Sequence, residues 1–173
     1  MPRLSKKRSD RRWEAPDGTI WASKFEYSVF DKLRSLGYVV SKCEKGPDCT
    51  FAYHSPVKSG RCLECDSCQV VQQRSYTPDL LVIPKADMGK PAGDVRRIYL
   101  ETKGYFPASK RSLFRAFQQT GPDIDLRVLA ERDNWVTKGK SKLSDYFKRY
   151  LKTVPFAVWT GDLPDEWKQD LLD

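Results

Sequence analysis

The 173-residue sequence lacks several features that would place it in a common class. It has no run of 18 apolar residues, so it predicts no membrane-spanning segment. Its basic N-terminus is followed by no apolar stretch, so we expect no secretory signal. It has no glycine-rich phosphate loop and no internal repeat, which argues against a doubly wound nucleotide-binding fold and against a repeat protein.

The sequence has fewer acidic than basic residues. The chain has 23 Asp and Glu against 31 Lys and Arg, a formal net charge of +8. That balance predicts a polyanionic partner, most simply a nucleic acid. We interpret residues 1–20 as a basic arm, which is either a disordered solubilising tail or a segment that orders on a DNA backbone. Its candidate DNA-binding residues are Lys6, Lys7, Arg8, Arg11 and Arg12.

The hydrophobic pattern predicts one domain of the α/β class over residues 21–173. Apolar residues recur at helical spacing over residues 23–36, and Gly37 follows as a stop signal. A continuous apolar run at residues 80–83 suits a central strand. Further strands are predicted at 38–40, 50–53, 70–73, 98–102, 126–130 and 156–159, and further helices near 107–121, at 141–151 and after 164. This order predicts a mixed central β-sheet flanked by helices.

Two of the predicted strands carry charged residues where the chemistry of a site is expected. Asp79 lies at the start of one apolar run, and Glu101 and Lys103 lie near the end of the next. Residues two apart on a strand point to the same face, so Glu101 and Lys103 project together and Asp79 can join them if the strands pair. Two carboxylates beside an ammonium group predict a Mg²⁺ site for phosphodiester hydrolysis, with the backbone carbonyl of Thr102 as a further ligand.

Each of these residues also has a purely structural interpretation. Asp79 can belong to a turn, and Glu101 with Lys103 can form a same-face ion pair. Glu26 is a candidate third carboxylate for the metal site, but it lies three residues after Ser23, which is the spacing of a helix capping box. The combined pattern of acids, apolar strands and a following glycine favours the catalytic interpretation.

These residues resemble the phage endonuclease I family, the branch of the PD-(D/E)xK nucleases that resolves Holliday junctions. The resemblance rests first on Tyr76-Thr77-Pro78-Asp79 and on Glu101-Thr102-Lys103-Gly104. It extends to the helix around Phe25-Glu26, to the strand in residues 123–128 and to Pro164-Asp165-Glu166-Trp167. It spans residues 23–167 apart from two insertions.

The resemblance implies a Mg²⁺- or Mn²⁺-dependent endonuclease that cuts four-way junctions and other branched DNA. It implies an intertwined homodimer with exchanged strands, in which Asp79, Glu101 and Lys103 of one chain meet Glu26 of the other. It also suggests a phage protein acting in the cytoplasm of the host cell. A twofold dimer offers two equivalent sites for two incisions, which is what junction resolution needs.

Recognition of junctions of differing sequence should rely on shape and on phosphate contacts. The helix predicted after Gly104 carries Lys110, Arg111 and Arg115, which are candidates for gripping the DNA backbone. The alternative is that these residues form an ordinary solvated helix face.

The chain departs from the family pattern between residues 43 and 68, where all five of its cysteines lie. Clustered cysteines in an odd number fit thiolate binding of zinc in a reducing cytoplasm better than disulfides. The candidate ligands are Cys43, Cys49, His54, Cys62, Cys65 and Cys68. We favour Cys49 with the last three cysteines, His54 as the next choice and Cys43 as the least suitable. The alternatives are an iron–sulfur cluster or free thiols in a loop, and we expect a zinc-binding hairpin insertion.

Three functions are compatible with the sequence. The first is a junction-resolving endonuclease. The second is a nuclease of the same chemistry that acts on duplex ends or mismatched DNA. The third is a zinc-stabilised DNA-binding protein without catalytic activity, which the basic charge and the cysteine cluster support but the Asp79, Glu101 and Lys103 set opposes.

The cysteine cluster leads to a prediction about metal content. Protein purified without a tag, without chelators and under reducing conditions should contain about one zinc ion per chain, because a tetrahedral thiolate site holds a single Zn²⁺. Elemental analysis by plasma mass spectrometry measures this ratio. A sample with no bound zinc after such a purification contradicts the prediction.

Overall fold

The computed structural model describes residues 12–61, 69–137 and 140–172. In chain order the elements are β1 (Trp13–Glu14), β2 (Ile20–Trp21), α1 (Lys24–Ser35), β3 (Val39–Lys42), β4 (Phe51–Arg61), β5 (Gln69–Tyr76), β6 (Leu80–Ile83), a 3₁₀ turn (Lys85–Asp87), β7 (Ile98–Lys103), α2 (Ala108–Thr120), β8 (Asp125–Ala130), β9 (Trp135–Thr137), β10 (Ser141–Lys142), α3 (Leu143–Tyr150), β11 (Phe156–Val158) and α4 (Asp165–Leu172).

The core of the fold is a five-stranded sheet in the order β11-β8-β7-β6-β3. β8 pairs in parallel with β7 and with β11, whereas β6 pairs antiparallel with β7 and with β3. The predicted mixed α/β sheet with flanking helices is therefore confirmed. The central strand β7 is buried along its length up to Thr102 and emerges only at Lys103, which suits the apolar run that the sequence shows there.

The two faces of the sheet are covered by different helices. Phe25, Val29 and Leu33 of α1 pack on one face with Leu80 and Leu100. The other face is covered by aromatic side chains of α2 and α3 and of the segments around them: Phe106, Phe114, Phe117, Tyr146 and Phe147. Successive residues of a strand point to opposite faces. Leu100 accordingly faces α1, while Tyr99 packs in the cluster that contains α2.

α1 begins and ends where the sequence predicts. The Ser23 hydroxyl accepts a hydrogen bond from the Glu26 amide at 3.1 Å and so caps the first turn. Gly37 follows the helix with a φ of 81°, a left-handed conformation that favours glycine, and its amide donates to the carbonyl of Arg34. These ends fix the position of Glu26 in the first turn.

β4 and β5 form a separate antiparallel hairpin and are longer than the short strands predicted at 50–53 and 70–73. This hairpin packs against α2: the Thr120 hydroxyl accepts a bond from the His54 amide and donates one to the His54 carbonyl, at 2.8 and 2.9 Å. Of the insertion predicted over residues 43–68, residues 43–50 precede β4 and residues 51–61 form it, while residues 62–68 are outside the described part.

Of the arm predicted over residues 1–20, only residues 12–20 are described. They contain β1, which pairs with β2, and Ala15 is buried against the α1 side of the core. This portion of the arm is therefore folded. The sequence showed no signal for it, because strands of two residues are too short to produce a periodic pattern.

No helix in residues 12–61, 69–137 and 140–172 has the length and the apolar character needed to cross a bilayer.

Candidate active site

Asp79 is held by its backbone between two strands of the sheet. Its amide donates to the carbonyl of Leu100 at 3.1 Å, and its carbonyl accepts from the amide of Cys43 at 2.9 Å. Leu80 pairs with Leu100, so the same register brings Asp79 beside Glu101. The side chain is fixed as well, since its Oδ2 accepts bonds from the amide and the hydroxyl of Thr102 at 2.7 and 3.0 Å.

Lys103 joins the two predicted acids. Its Nζ lies 3.0 Å from Asp79 Oδ2 and 2.9 Å from Glu101 Oε1. These two contacts limit the separation of the carboxylate oxygens to about 6 Å. The structure thus brings together Asp79, Glu101 and Lys103, which the sequence places on segments 20 residues or more apart.

Glu101 is fully buried. A buried carboxyl group without hydrogen-bond or ionic partners would destabilise the fold, so its partners matter. Besides Lys103, its Oε1 contacts Lys110 Nζ at 3.2 Å, and its Oε2 accepts a bond from the Tyr76 hydroxyl at 2.7 Å. Two lysines therefore face two carboxylates, Asp79 and Glu101, and the cluster is close to neutral as it stands.

Sequence reasoning missed the role of Tyr76. It belongs to the motif that ends at Asp79, but nothing in the spacing indicates that the end of β5 turns its hydroxyl toward Glu101. Burial raises the pKa of Tyr76, and the neighbouring Glu101 carboxylate raises it further. The phenol therefore stays protonated and acts as a hydrogen-bond donor to Glu101.

The charge of Lys103 is secured by its neighbours. Burial alone would lower the pKa of Lys103, but the carboxylates of Glu101 and Asp79 outweigh that effect and hold the pKa above its ordinary value. The side chain is therefore cationic at neutral pH. It is also 20 % exposed, so a phosphate can approach it from solvent.

Glu26 is the third acid of the predicted site, and its side chain is directed into the protein. It is 4 % exposed. Loss of hydration raises the pKa of Glu26, and the charge of Asp79 raises it further, while Lys42 and Lys103 act in the opposite direction. In this single chain Glu26 is thus close enough to Asp79 and Lys103 to sense their charges. The exchange of Glu26 between two chains stays a prediction.

The described residues contain no group of three or more His, Cys, Asp and Glu side chains arranged to hold a metal ion. The donors at this site do suit a hard cation in chemistry, since two carboxylates already converge on one positive group. Mg²⁺ binds its oxygen ligands at about 2.0–2.1 Å, and the Lys103 ammonium already contacts the same carboxylates, 3.0 Å from Asp79 Oδ2 and 2.9 Å from Glu101 Oε1. Binding of a divalent ion between Asp79 and Glu101 therefore requires the Lys103 ammonium to withdraw.

The predicted DNA-binding residues differ in their surroundings. Lys110 pairs with Glu101 and so belongs to the acidic cluster. Arg111 and Arg115 lie on α2 and stack on Tyr146. Arg12 is exposed, and the remaining residues of the arm lie outside the described residues: Lys6, Lys7, Arg8 and Arg11.

The cysteines fall into two groups. Cys43 and Cys49 are free thiols buried next to the sheet in the cluster that contains Tyr76. Burial raises the pKa of Cys43, and contact with Cys49 raises it further, so this thiol is protonated at neutral pH. Cys62, Cys65 and Cys68 lie outside the described residues.

The length of β4 bears on the predicted zinc ligands. Cys49 precedes the strand, whereas Cys62 directly follows its last residue, Arg61. At about 3.3 Å per residue an 11-residue strand spans on the order of 30 Å. Two thiolates on one Zn²⁺ lie within about 5 Å of each other, since each Zn–S bond is about 2.3 Å. Within one chain this geometry argues against Cys49, our favoured fourth ligand, and against Cys43.

His54 meets the same difficulty, because it lies near the Cys49 end of β4. The site built on Cys62, Cys65 and Cys68 stays a prediction. Its fourth ligand has to come from the neighbourhood of those cysteines or from a second chain.

Comparison with protein-family models and with curated proteins finds no significant match to this chain. Function is therefore inferred from the geometry of the acidic cluster and its surroundings.

The environment of Glu26 predicts an unusual stability change. A carboxyl group with a raised pKa favours folding below its unfolded pKa, and that contribution is lost as the pH rises through the folded pKa. The ionised Glu26 therefore costs stability at neutral pH. We expect Glu26→Gln to melt at a higher temperature than the wild type at pH 8 in EDTA, and the gain to shrink toward pH 4.

Thermal unfolding followed by circular dichroism tests this expectation. Asp31→Asn serves as the control, because Asp31 is an exposed acid on the same helix. Addition of Mg²⁺ at pH 8 should raise the melting temperature of the wild type more than that of Glu26→Gln. A lower melting temperature for Glu26→Gln at pH 8 contradicts the account of Glu26.

Proposed function

We propose that this protein is a metal-dependent endodeoxyribonuclease that hydrolyses phosphodiester bonds in four-way (Holliday) junctions and other branched DNA. The observation that carries the proposal is the convergence of Asp79 and Glu101 on the Lys103 ammonium at one end of the central sheet. An ion pair that served only stability would contribute little at a partly exposed position. A buried carboxylate supported by two lysines and a tyrosine is better explained as a site prepared for a ligand.

The proposed metal ligands are the carboxylates of Asp79 and Glu101, with the Thr102 carbonyl and Glu26 as additional donors. When bound, Mg²⁺ or Mn²⁺ supplies a lowered pKa for a coordinated water and a positive charge near the phosphate. The chain prepares for the ion in two ways. Thr102 fixes one oxygen of Asp79, and Tyr76 fixes one oxygen of Glu101. Asp79 Oδ1 becomes available to the ion once Lys103 moves away, and Glu101 Oε1 once both Lys103 and Lys110 do.

Lys103 and Glu26 have distinct roles in this proposal. Displaced from the two carboxylates, the Lys103 ammonium lies next to the scissile phosphate and offsets the negative charge that develops during the attack. Glu26 has a raised pKa, so its carboxylate is a stronger base than an exposed glutamate. It is suited to accept the proton that the attacking water gives up.

The proposal includes the homodimer, because resolution of a junction needs two incisions related by twofold symmetry. Exchange of strands between chains would supply Glu26 from the partner, as the family resemblance implies. In the single chain, β3 already pairs with β6 and brings α1 to the sheet. An exchanged dimer would make the same contacts between chains, and a zinc ion on Cys62, Cys65 and Cys68 would stabilise the end of the β4–β5 hairpin.

Cleavage assays with isosteric variants test the function. Purified protein is incubated with Mg²⁺ and with end-labelled four-way junction, linear duplex or single strand. We expect paired cuts in the junction, and we expect Asp79→Asn and Glu101→Gln to lower the rate by about 10³-fold or more, since loss of a metal ligand costs several kcal/mol of transition-state stabilisation. Asp31→Asn should cut at the wild-type rate.

Binding measured in EDTA separates catalysis from recognition. Asp79→Asn should bind the junction as tightly as the wild type. Preferential cutting of linear duplex would indicate a nuclease of another specificity. Binding without cleavage by the wild-type protein, in both Mg²⁺ and Mn²⁺, would contradict the enzymatic proposal and favour a zinc-stabilised DNA-binding protein.

A further inference from the structure

Arginine and tyrosine side chains alternate in a continuous row between α2 and α3. Arg115 Cζ lies 5.2 Å from the ring centre of Tyr146 and 4.4 Å from that of Tyr150. Arg111 stacks on Tyr146 at 5.8 Å, and Arg149 lies over Tyr150 at 6.0 Å. The two tyrosine rings are 5.1 Å apart. We call these five residues the Arg–Tyr row.

The row begins beside the acidic cluster. Lys110, which contacts Glu101, directly precedes Arg111 on α2. Arg115 lies one helical turn further along α2, about 6 Å along its axis. The row then crosses to α3, where Tyr150 is 45 % exposed. It therefore leads from the proposed point of cleavage to the surface of α3.

The positive charge of the row is not neutralised within the described part of the chain. None of the salt bridges found there involves Arg111, Arg115 or Arg149. A shallow depression next to the row adds further cations, with one acid among its lining residues: Lys140, Ser141, Asp145, Lys148, Arg149 and Lys152. Such a concentration of unpaired charge requires an anionic partner or solvent.

Stacking on tyrosine suits these arginines to bind phosphate. The ring contact covers one face of the guanidinium group and leaves its edge directed away from the ring. Arg111 uses one of its edge donors, Nη1, on the Phe106 carbonyl at 3.3 Å. A guanidinium already held in one orientation loses less conformational freedom when it forms two parallel bonds to a phosphate. The tyrosines are positioning residues in this arrangement.

The burial of the rings favours phosphates over bases as the contacted groups. Tyr146 is 5 % exposed, and arginines cover it from α2, so it offers no free surface for stacking a nucleotide base. Contacts to phosphate carry no sequence information, which suits a substrate that is defined by its branching.

We propose that the Arg–Tyr row binds the phosphodiester backbone of one duplex arm of the DNA that is cut between Asp79 and Glu101. The identity of the partner as DNA rests on the proposed function. No sequence motif indicates a role for Arg149 and Tyr150. The proposal gives α3 the role of binding the duplex arm that extends away from the cleavage site.

Equilibrium binding of a fluorescent four-way junction and a linear duplex, measured in EDTA from 50 to 200 mM KCl, tests the proposal. Each phosphate contact contributes about 0.9 to the slope of log K against log salt, which is roughly eightfold in affinity at 0.1 M salt. Arg115→Ala and Arg149→Ala should each lower the slope by about that amount per bound protomer. Tyr150→Phe should bind like the wild type, whereas Tyr150→Ala should bind more weakly.

The chain offers a matched control on the opposite face of the sheet. Arg34 stacks on Phe30 at 5.6 Å, as Arg149 does on Tyr150, but it belongs to α1. Arg34→Ala removes the same charge and should leave both the affinity and the slope unchanged. Melting temperatures of all variants confirm that each is folded.

The outcomes separate this proposal from the proposed function. Wild-type affinity and slope in Arg115→Ala and Arg149→Ala overturn it, even if the enzyme cuts DNA. If Arg34→Ala loses as much DNA affinity as Arg149→Ala, the proposal for the Arg–Tyr row is also overturned, because the loss would then reflect net charge alone. If the wild-type protein never cuts DNA but the row variants bind DNA more weakly than it does, the Arg–Tyr row is supported as a DNA-binding surface. That result counts against the nuclease activity only.

Discussion

The contact on which the site depends is the bridge that the Lys103 ammonium makes between Asp79 and Glu101. It draws together two acids whose mutual repulsion would otherwise separate them, and it does so at the end of a fully buried strand. Glu101 lies in the protein interior, where a polar group left without partners is costly. Tyr76 satisfies the other oxygen of Glu101, Oε2, and Lys110 shares Oε1 with Lys103. The arrangement aims both carboxylates at one positive group, which is what a divalent cation would require.

Local patterns in the sequence were sufficient to predict the sheet and the centre of this site. The same-face relation of Glu101 and Lys103 follows from the two-residue period of a strand, and the antiparallel pairing of β6 with β7 brings Asp79 beside them. The ends of α1 follow from Ser23 and Gly37, which act through backbone geometry alone. Features set by single residues and by short-range periodicity were thus accessible before the structure was known.

Features set by long-range packing were not accessible. Tyr76 reaches Glu101 because the β4–β5 hairpin packs on α2, and no local signal specifies that contact. Lys110, a candidate for contacting the DNA backbone, pairs with Glu101, and no local signal indicates that contact. Cys49 is the favoured fourth zinc ligand on the sequence, yet a strand as long as β4 separates it from the later cysteines. In each case the spacing along the chain was a poor guide to distance in the fold.

A crystal structure of the protein soaked in Mn²⁺ tests the central claim most directly, because the ion is located by its anomalous scattering. The account predicts a peak between Asp79 and Glu101, with an oxygen of each within about 2.0–2.3 Å of the ion and the Lys103 ammonium displaced from both. Repeating the soak with Asp79→Asn should weaken or remove the peak. Well-occupied Mn²⁺ elsewhere, with Lys103 still joining the two carboxylates, would contradict the account.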